Sequence, residues 1–139
     1  PDLQAVIKTT ALNEADGLFR YLETQTFLGT LSAGEQIPIL DTPEAIYQLW
    51  IIKNQSNEVW GSLAPDTRDR IFSGVGESIG KHGGQFGINC DVNWSSEEYN
   101  NYGVTAWPNI EALQGHFQDL QKLDFHRYYY ARTILGKRD

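Results

Sequence analysis

Between Ile46 and Leu135 the spacing of apolar residues switches from a period of two to one near 3.6 and back, twice over. Ile46 to Lys53 is dense in β-branched and aromatic residues and predicts a strand. Pro65 and Asp66 suit the first turn of a helix, and Ile71, Phe72, Val75 and Ile79 follow at helical spacing. Gly74, Gly76 and Gly80 weaken that helix by up to about 1 kcal/mol each, which points to close packing on a sheet. Gly83-Gly84 stops it. Gln85 to Asn93 then alternates strictly. Phe86, Ile88, Cys90 and Val92 point one way, Asn89 and Asp91 the other, as in a strand with one face on a core. After the polar loop Ser95 to Asn101, Tyr102 to Trp107 predicts a third strand. Pro108 breaks it, Asn109 is placed to cap a helix, and Ile110, Leu113, Phe117 and Leu120 form that helix's buried stripe. Phe125 to Leu135 predicts a long final strand. The order strand, helix, strand, strand, helix, strand is that of an α+β chain. It predicts a ferredoxin-like βαββαβ sandwich over residues 45–139, with both helices on one face of an antiparallel sheet.

Residues 1–40 predict a shorter βαβ-like half-module or arm. Leu3 to Thr10 reads as a strand. Asn13 is placed to cap a helix carrying Ala15, Leu18, Phe19 and Leu22, and Thr26 to Leu31 reads as a second strand. Laid over the last half of the larger module, Val6 falls on Val104, Phe19 on Phe117 and Leu22 on Leu120. Gly34 to Thr42 is the connector.

The net charge of −7 comes with no basic stripe, which argues against nucleic acid and against an anionic membrane as partners. A lone cysteine, Cys90, excludes an internal disulfide and the multi-cysteine zinc frameworks. Three scattered histidines lack metal-ligand spacing, so neither a metal nor another cofactor is expected. With no apolar run of membrane-spanning length and no signal peptide in view, a cytoplasmic location is expected.

Three stretches carry a family resemblance: Leu63-Ala64-Pro65-Asp66-Thr67-Arg68-Asp69-Arg70, Tyr102-Gly103-Val104-Thr105-Ala106-Trp107-Pro108 and Leu123-Asp124-Phe125-His126-Arg127-Tyr128-Tyr129-Tyr130. Through them the chain resembles the dimeric α/β-barrel proteins, and is most similar to the darcynin-like kind. The resemblance implies a homodimer in which two sheets meet open face to open face. It also implies a choice among the activities of that superfamily, which include cofactor-free monooxygenases, isomerases and cyclases. Fold alone does not select among them.

The polar parity of the strands is the most suggestive chemical feature. Asn89 and Asp91 should point away from the helices, in company with Gln48 and Trp50 of the first strand and with His126, Tyr128 and Tyr130 of the last. Such a face would form a small-molecule pocket with aromatic walls and few polar groups. His126 and Asp91 are the candidate catalytic pair for proton transfer. Gln48, Asn89, Tyr128 and Tyr130 would orient the substrate, with Trp50 and Trp107 stacking on it. His116 reads as a helix-flank residue, His82 as a partner of its helix C-terminus, and Cys90 as an inert buried thiol. The glycines at 74, 76 and 80 do not make a dinucleotide fingerprint. Two further expectations compete with a pocket protein. One is a non-catalytic self-association module that consumes the open face. The other is a tautomerase using Pro1 as its basic amine.

Overall fold

The computed structural model describes residues 4–5 and 27–138. In chain order these form β1 (Thr30–Gly34), β2 (Ile46–Asn54), α1 (Asn57–Ser62), α2 (Pro65–Lys81), β3 (Gln85–Asp91), β4 (Asn101–Trp107), α3 (Ile110–Lys122), α4 (Phe125–Tyr128) and β5 (Tyr129–Gly136). The chain is of α+β class. Its strands pair antiparallel throughout in the order β1-β3-β4-β2-β5. The early strand expected at Thr26 to Leu31 appears slightly later, as β1, and joins the same sheet at its β3 edge. Gln4 and Ala5 are helical where a strand was expected. The remainder of that expected strand, the helix after Asn13, and Pro1 lie outside the described residues. Among the described residues no helix is long and apolar enough to cross a membrane.

Local chemistry accounts for the helix boundaries. Pro65 opens α2, and Asp66 in its first turn complements the helix dipole. Gly83 takes a left-handed φ of 70° that costs glycine nothing, and the amide of Gly84 returns to the carbonyl of Ile79 at 2.8 Å to close the end. Asn109 caps α3 as expected, its Oδ1 accepting the amide of Ala112 at 2.8 Å. Of the three glycines in α2, only Gly74 packs closely, against Leu123. Gly76 and Gly80 face open space.

The final strand starts four residues later than the pattern predicts. Asp124 turns left-handed at φ 55°, and Phe125 to Tyr128 make one helical turn before β5 begins. The reason is packing. Phe125 and Tyr129 are both buried and stack with ring centroids 4.9 Å apart. Residues four apart lie roughly 6 Å apart along a helix but about 13 Å apart along a strand, so only the helical turn lets the two rings meet.

The second difference is at β3. Phe86 pairs with Thr105, yet Ile88 pairs with Val104, so a bulge at Gly87 breaks the alternation. Gly87 has no room for a side chain, because Pro38 and the backbone oxygen of Val104 press on it. Phe86 therefore lies on the opposite side of the sheet from Ile88 and Cys90, and on the same side as Asn89.

That side is the one beneath the helices. Ile46 of β2 packs with Trp107 and Leu113, and with Ile79 of α2, which places Gln48, Trp50 and Ile52 on the helix-facing surface. Across the sheet Gln48 pairs with Thr105, and Trp50 with Gly103, which in turn pairs with Asn89. The expectation that Asn89 points away from the helices is thus reversed. The apolar parity of β3 belongs to the other face, because that face has a core of its own. Ile51, Val92 and Tyr99 are buried there with Phe27 and Tyr102 packed against them. Residue types alone cannot tell which of two covered faces a helix will sit on.

Candidate functional site

A cavity of about 590 Å³ lies between the sheet and the helix layer. Its floor is built from Gln48, Trp50, Phe86, Asn89, Thr105 and Thr133, and its roof from Phe72 and Val75 of α2 with His116, Phe117 and Leu120 of α3. Phe125 and His126 of α4 close one end. No Lys, Arg, Asp or Glu is among the lining residues described.

The floor is organised by hydrogen bonds between side chains. The indole nitrogen of fully buried Trp107 donates to Gln48 Oε1 at 2.9 Å, and Gln48 Nε2 reaches Thr133 Oγ1 at 3.4 Å. Trp50 Nε1 donates to Thr105 Oγ1 at 3.1 Å. The ring of Trp50 crosses directly over Gly103, where a β-carbon would collide with it. Glycine at 103 is what lets an indole lie flat on the sheet and leaves volume above it. One polar atom is left out of this arrangement: Asn89 Oδ1 is buried and has no hydrogen-bond partner.

The roof carries a second polar group. His116 is 5% exposed, its Nδ1 lies 2.9 Å from Ser78 Oγ, and its ring rests on Trp107 at 4.8 Å. Ser78 Oγ donates in turn to Asp119 Oδ2 at 3.3 Å. The same carboxylate accepts from Lys81 at 2.8 Å and His82 at 2.9 Å, pinning α3 to the C-terminal end of α2, and from Lys122 of its own helix at 3.2 Å. These donors, Lys81 first, hold the Asp119 carboxyl well below the usual carboxylate range. Burial, reinforced by the neighbouring His82 and opposed by Asp119, lowers His116 from 6.5 to about 4, so its ring is neutral at pH 7.

The stability consequence has a definite sign. An unfolded chain takes a proton on this histidine below about pH 6.5, whereas the folded chain refuses it until about pH 4. Stability should therefore fall as pH drops through that window, by at most about 3.5 kcal/mol at about 1.4 kcal/mol per pH unit. The Asp119 contribution persists to more acidic pH, since its folded carboxyl is the depressed one. Urea unfolding at pH 7 and pH 5 should show the loss in wild type and a flatter profile in His116→Gln. Equal pH slopes in the two proteins would show that His116 is not the group responsible.

Four of the residues singled out from sequence meet in this cavity: Gln48, Trp50, Asn89 and His126. The others do not line it. Trp107 is wholly buried behind Gln48 and orients that amide rather than stacking on a ligand. Asp91 is absent from the cavity wall that His126 joins. Its Oδ1 instead accepts both the backbone and side-chain N–H of Asn93, each at 2.8 Å, in a turn at the strand end. Tyr128 falls in α4 beside Trp60, because the helical turn there shifts its direction. Tyr130 is on the opposite face of the sheet, exposed, with Lys53 Nζ 5.1 Å from its ring centroid. His116, expected on the helix flank, is instead buried on the cavity side of α3. Leu113, His116, Phe117 and Leu120 follow the i, i+3, i+4, i+7 pattern of a buried face.

No protein-family model matches the chain, and no curated protein matches it by sequence. Among solved structures it is similar to a protein of unknown function from Rhodopseudomonas palustris, a structural-genomics target. The match has a TM-score of 0.51 at 13% identity and covers 77% of this chain and 98% of the other. The likeness is one of fold.

Proposed function

We propose that this chain binds a small, uncharged, largely apolar molecule between its sheet and its helices. Asn89 carries the reading. Leaving a buried acceptor unpaired costs about 1–3 kcal/mol, and native interiors hold few such atoms. Asn89 is one of the residues lining a cavity whose size is typical of small-molecule sites, with Oδ1 enclosed just behind the cavity surface. A rotation of the Asn89 amide toward the cavity would let a ligand N–H or O–H satisfy it. The absence of formal charge among the described lining residues argues against carboxylate or phosphate ligands, which need a cationic partner.

Without β1, the strand order β3-β4-β2-β5 corresponds to a ferredoxin-like sandwich, and we read the chain as one, akin to the dimeric α/β-barrel proteins. If the chain is a catalyst, the reaction is a cofactor-independent proton transfer within this cavity, of the isomerase, cyclase or monooxygenase kind. A homodimer is a companion reading, supported by Tyr130 and Ile134 standing exposed together on the sheet face away from the helices. Self-association as the whole function leaves the unpaired Asn89 without a purpose.

The test is Asn89→Leu, close in size and without the orphan acceptor. The unliganded protein should be as stable as wild type or more so, by up to about 2 kcal/mol. Wild type should gain thermal stability with saturating naphthalene, indole or 2-naphthol, by about 2.7 kcal/mol at a hundred times Kd, with quenching of Trp50 emission. For indole, whose N–H is the donor tested against Asn89, that gain should shrink in the variant. Wild type indifferent to all three compounds, with Asn89→Leu destabilised like an ordinary core substitution, would refute the reading.

A further inference from the structure

We propose that His116 is the second polar anchor of this cavity, presenting an unprotonated Nε2 that selects hydroxyl-bearing aromatic ligands over their ethers and over anions. The inference rests on the cavity being a ligand site, and it adds the chemical class of the ligand. The argument begins with a single proton. Ser78 has one hydroxyl hydrogen and two close neighbours, His116 Nδ1 at 2.9 Å and Asp119 Oδ2 at 3.3 Å. If that hydrogen went to Nδ1, the Ser78 oxygen would be left facing a carboxylate with no proton between them. If it goes to Asp119, the Ser78 oxygen is free to accept Nδ1–H, and both contacts become favourable. Asp119 is held as an anion by Lys81, His82 and Lys122, so the charge-assisted choice is the second.

The tautomer follows. With the proton on Nδ1, Nε2 of a neutral ring carries a lone pair and only accepts. The contact with Trp107 and the bond to Ser78 hold the ring with Nδ1 toward Ser78. His116 lines the cavity, and among the described residues its Nε2 has no hydrogen-bond partner. The groups of opposite helices thus decide, through one hydroxyl, what the cavity asks of its occupant. Asn89 Oδ1, enclosed in the floor, is a second acceptor without a donor. Around these two acceptors stand Trp50, Phe86 and Phe117, which suit a flat apolar body. A neutral phenol brings the one donor that Nε2 requires, and a second hydroxyl on the ring would serve Asn89. An ether lacks the donor, and a carboxylate brings a charge that two acceptors repel.

The experiment has two arms. The first needs no ligand. Long-range ¹H–¹⁵N correlation at pH 7 reads the protonation of each ring nitrogen, and the chain has 3 histidines, assignable with His82→Gln and His126→Gln. His116 should show a protonated Nδ1 and a bare Nε2. A proton on Nε2 overturns the proposal, whatever binds. In the second arm 2-naphthol, 2-methoxynaphthalene and 2-naphthoate are titrated into the wild-type protein. The naphthol should bind about tenfold or more tighter than the ether, the worth of a buried hydrogen bond, and should move the Nε2 resonance. The naphthoate should bind more weakly than either. Ser78→Ala, which releases the tautomer, should bring the naphthol and ether affinities to within about threefold. Ether and naphthol binding equally to wild type, or naphthoate binding best, overturns this assignment and leaves the cavity standing as a site. Failure of all three to bind removes the cavity reading and this inference with it.

Discussion

Replacing Trp107 with Ala should lower the urea midpoint more than almost any other single substitution in the chain. The side chain is fully buried in contact with Ile46 and Leu113, and it supports the ring of His116. Large-to-small substitution of a buried aromatic costs about 3–5 kcal/mol. The indole nitrogen is also the donor to Gln48 Oε1, and an unpaired buried acceptor adds about 1–3 kcal/mol. The sum, about 4–8 kcal/mol, is a large share of a total stability of about 5–15 kcal/mol. Trp107→Phe is the milder change, since it keeps one aromatic ring while removing the donor and part of the indole volume. It should fold, with a lower urea midpoint and an unchanged denaturant slope. A near-wild-type midpoint for Trp107→Ala would mean that the sheet and α3 do not meet through this residue.

Gly103→Ala should be the most damaging single methyl in the chain. A β-carbon at this position would run into the backbone oxygen of Ile88 on the neighbouring strand and into the six-membered ring of Trp50. A flexible side-chain tip could move aside, but a carbonyl in a β-ladder cannot without breaking its pairing. The expected cost is about 3 kcal/mol or more, at the upper end of what overpacking does. The functional effect should exceed what stability alone predicts. Lifting Trp50 off the sheet drives it into the cavity, so residual folded protein should lose naphthol binding and change its tryptophan emission. Leu49→Ala serves as the control, being partly buried on the far face of the same strand pair. Its loss of stability should leave binding by the folded fraction intact. Equal ligand affinity in folded Gly103→Ala and wild type would show that Trp50 does not bound the site.

Much of the architecture was legible from residue order. The strands at Ile46, Gln85 and Tyr102, the α2 start at Pro65 and the Asn109 cap are short-range matters of period and capping, and they stand where the pattern put them. The cavity was half legible. Gln48, Trp50 and Asn89 do share one surface, because parity along paired strands is a local property. His126 reaches the same cavity by a different route, through a helical turn rather than a strand. Tyr128 and Tyr130 were misplaced for the same reason, since the turn at Phe125 resets the parity of everything after it. Asp91 was misjudged because a strand-end carboxylate beside an asparagine finds its partners two residues away.

What the amino-acid order determined by itself is therefore the set of elements, their sequence along the chain and which side chains travel together on one surface. These depend on contacts within a few residues and on backbone propensity. Only the tertiary structure decided which surface the helices cover, and so whether Asn89 meets solvent or a cavity. Both faces of this sheet carry enough apolar area to be buried, so the choice rests on long-range packing of Phe27 and Tyr99 on one side and of α2 and α3 on the other. The pairing of Ser78 with His116 is of the same kind. Two residues on separate helices, 38 positions apart, acquire a shared proton only when the helices lie side by side.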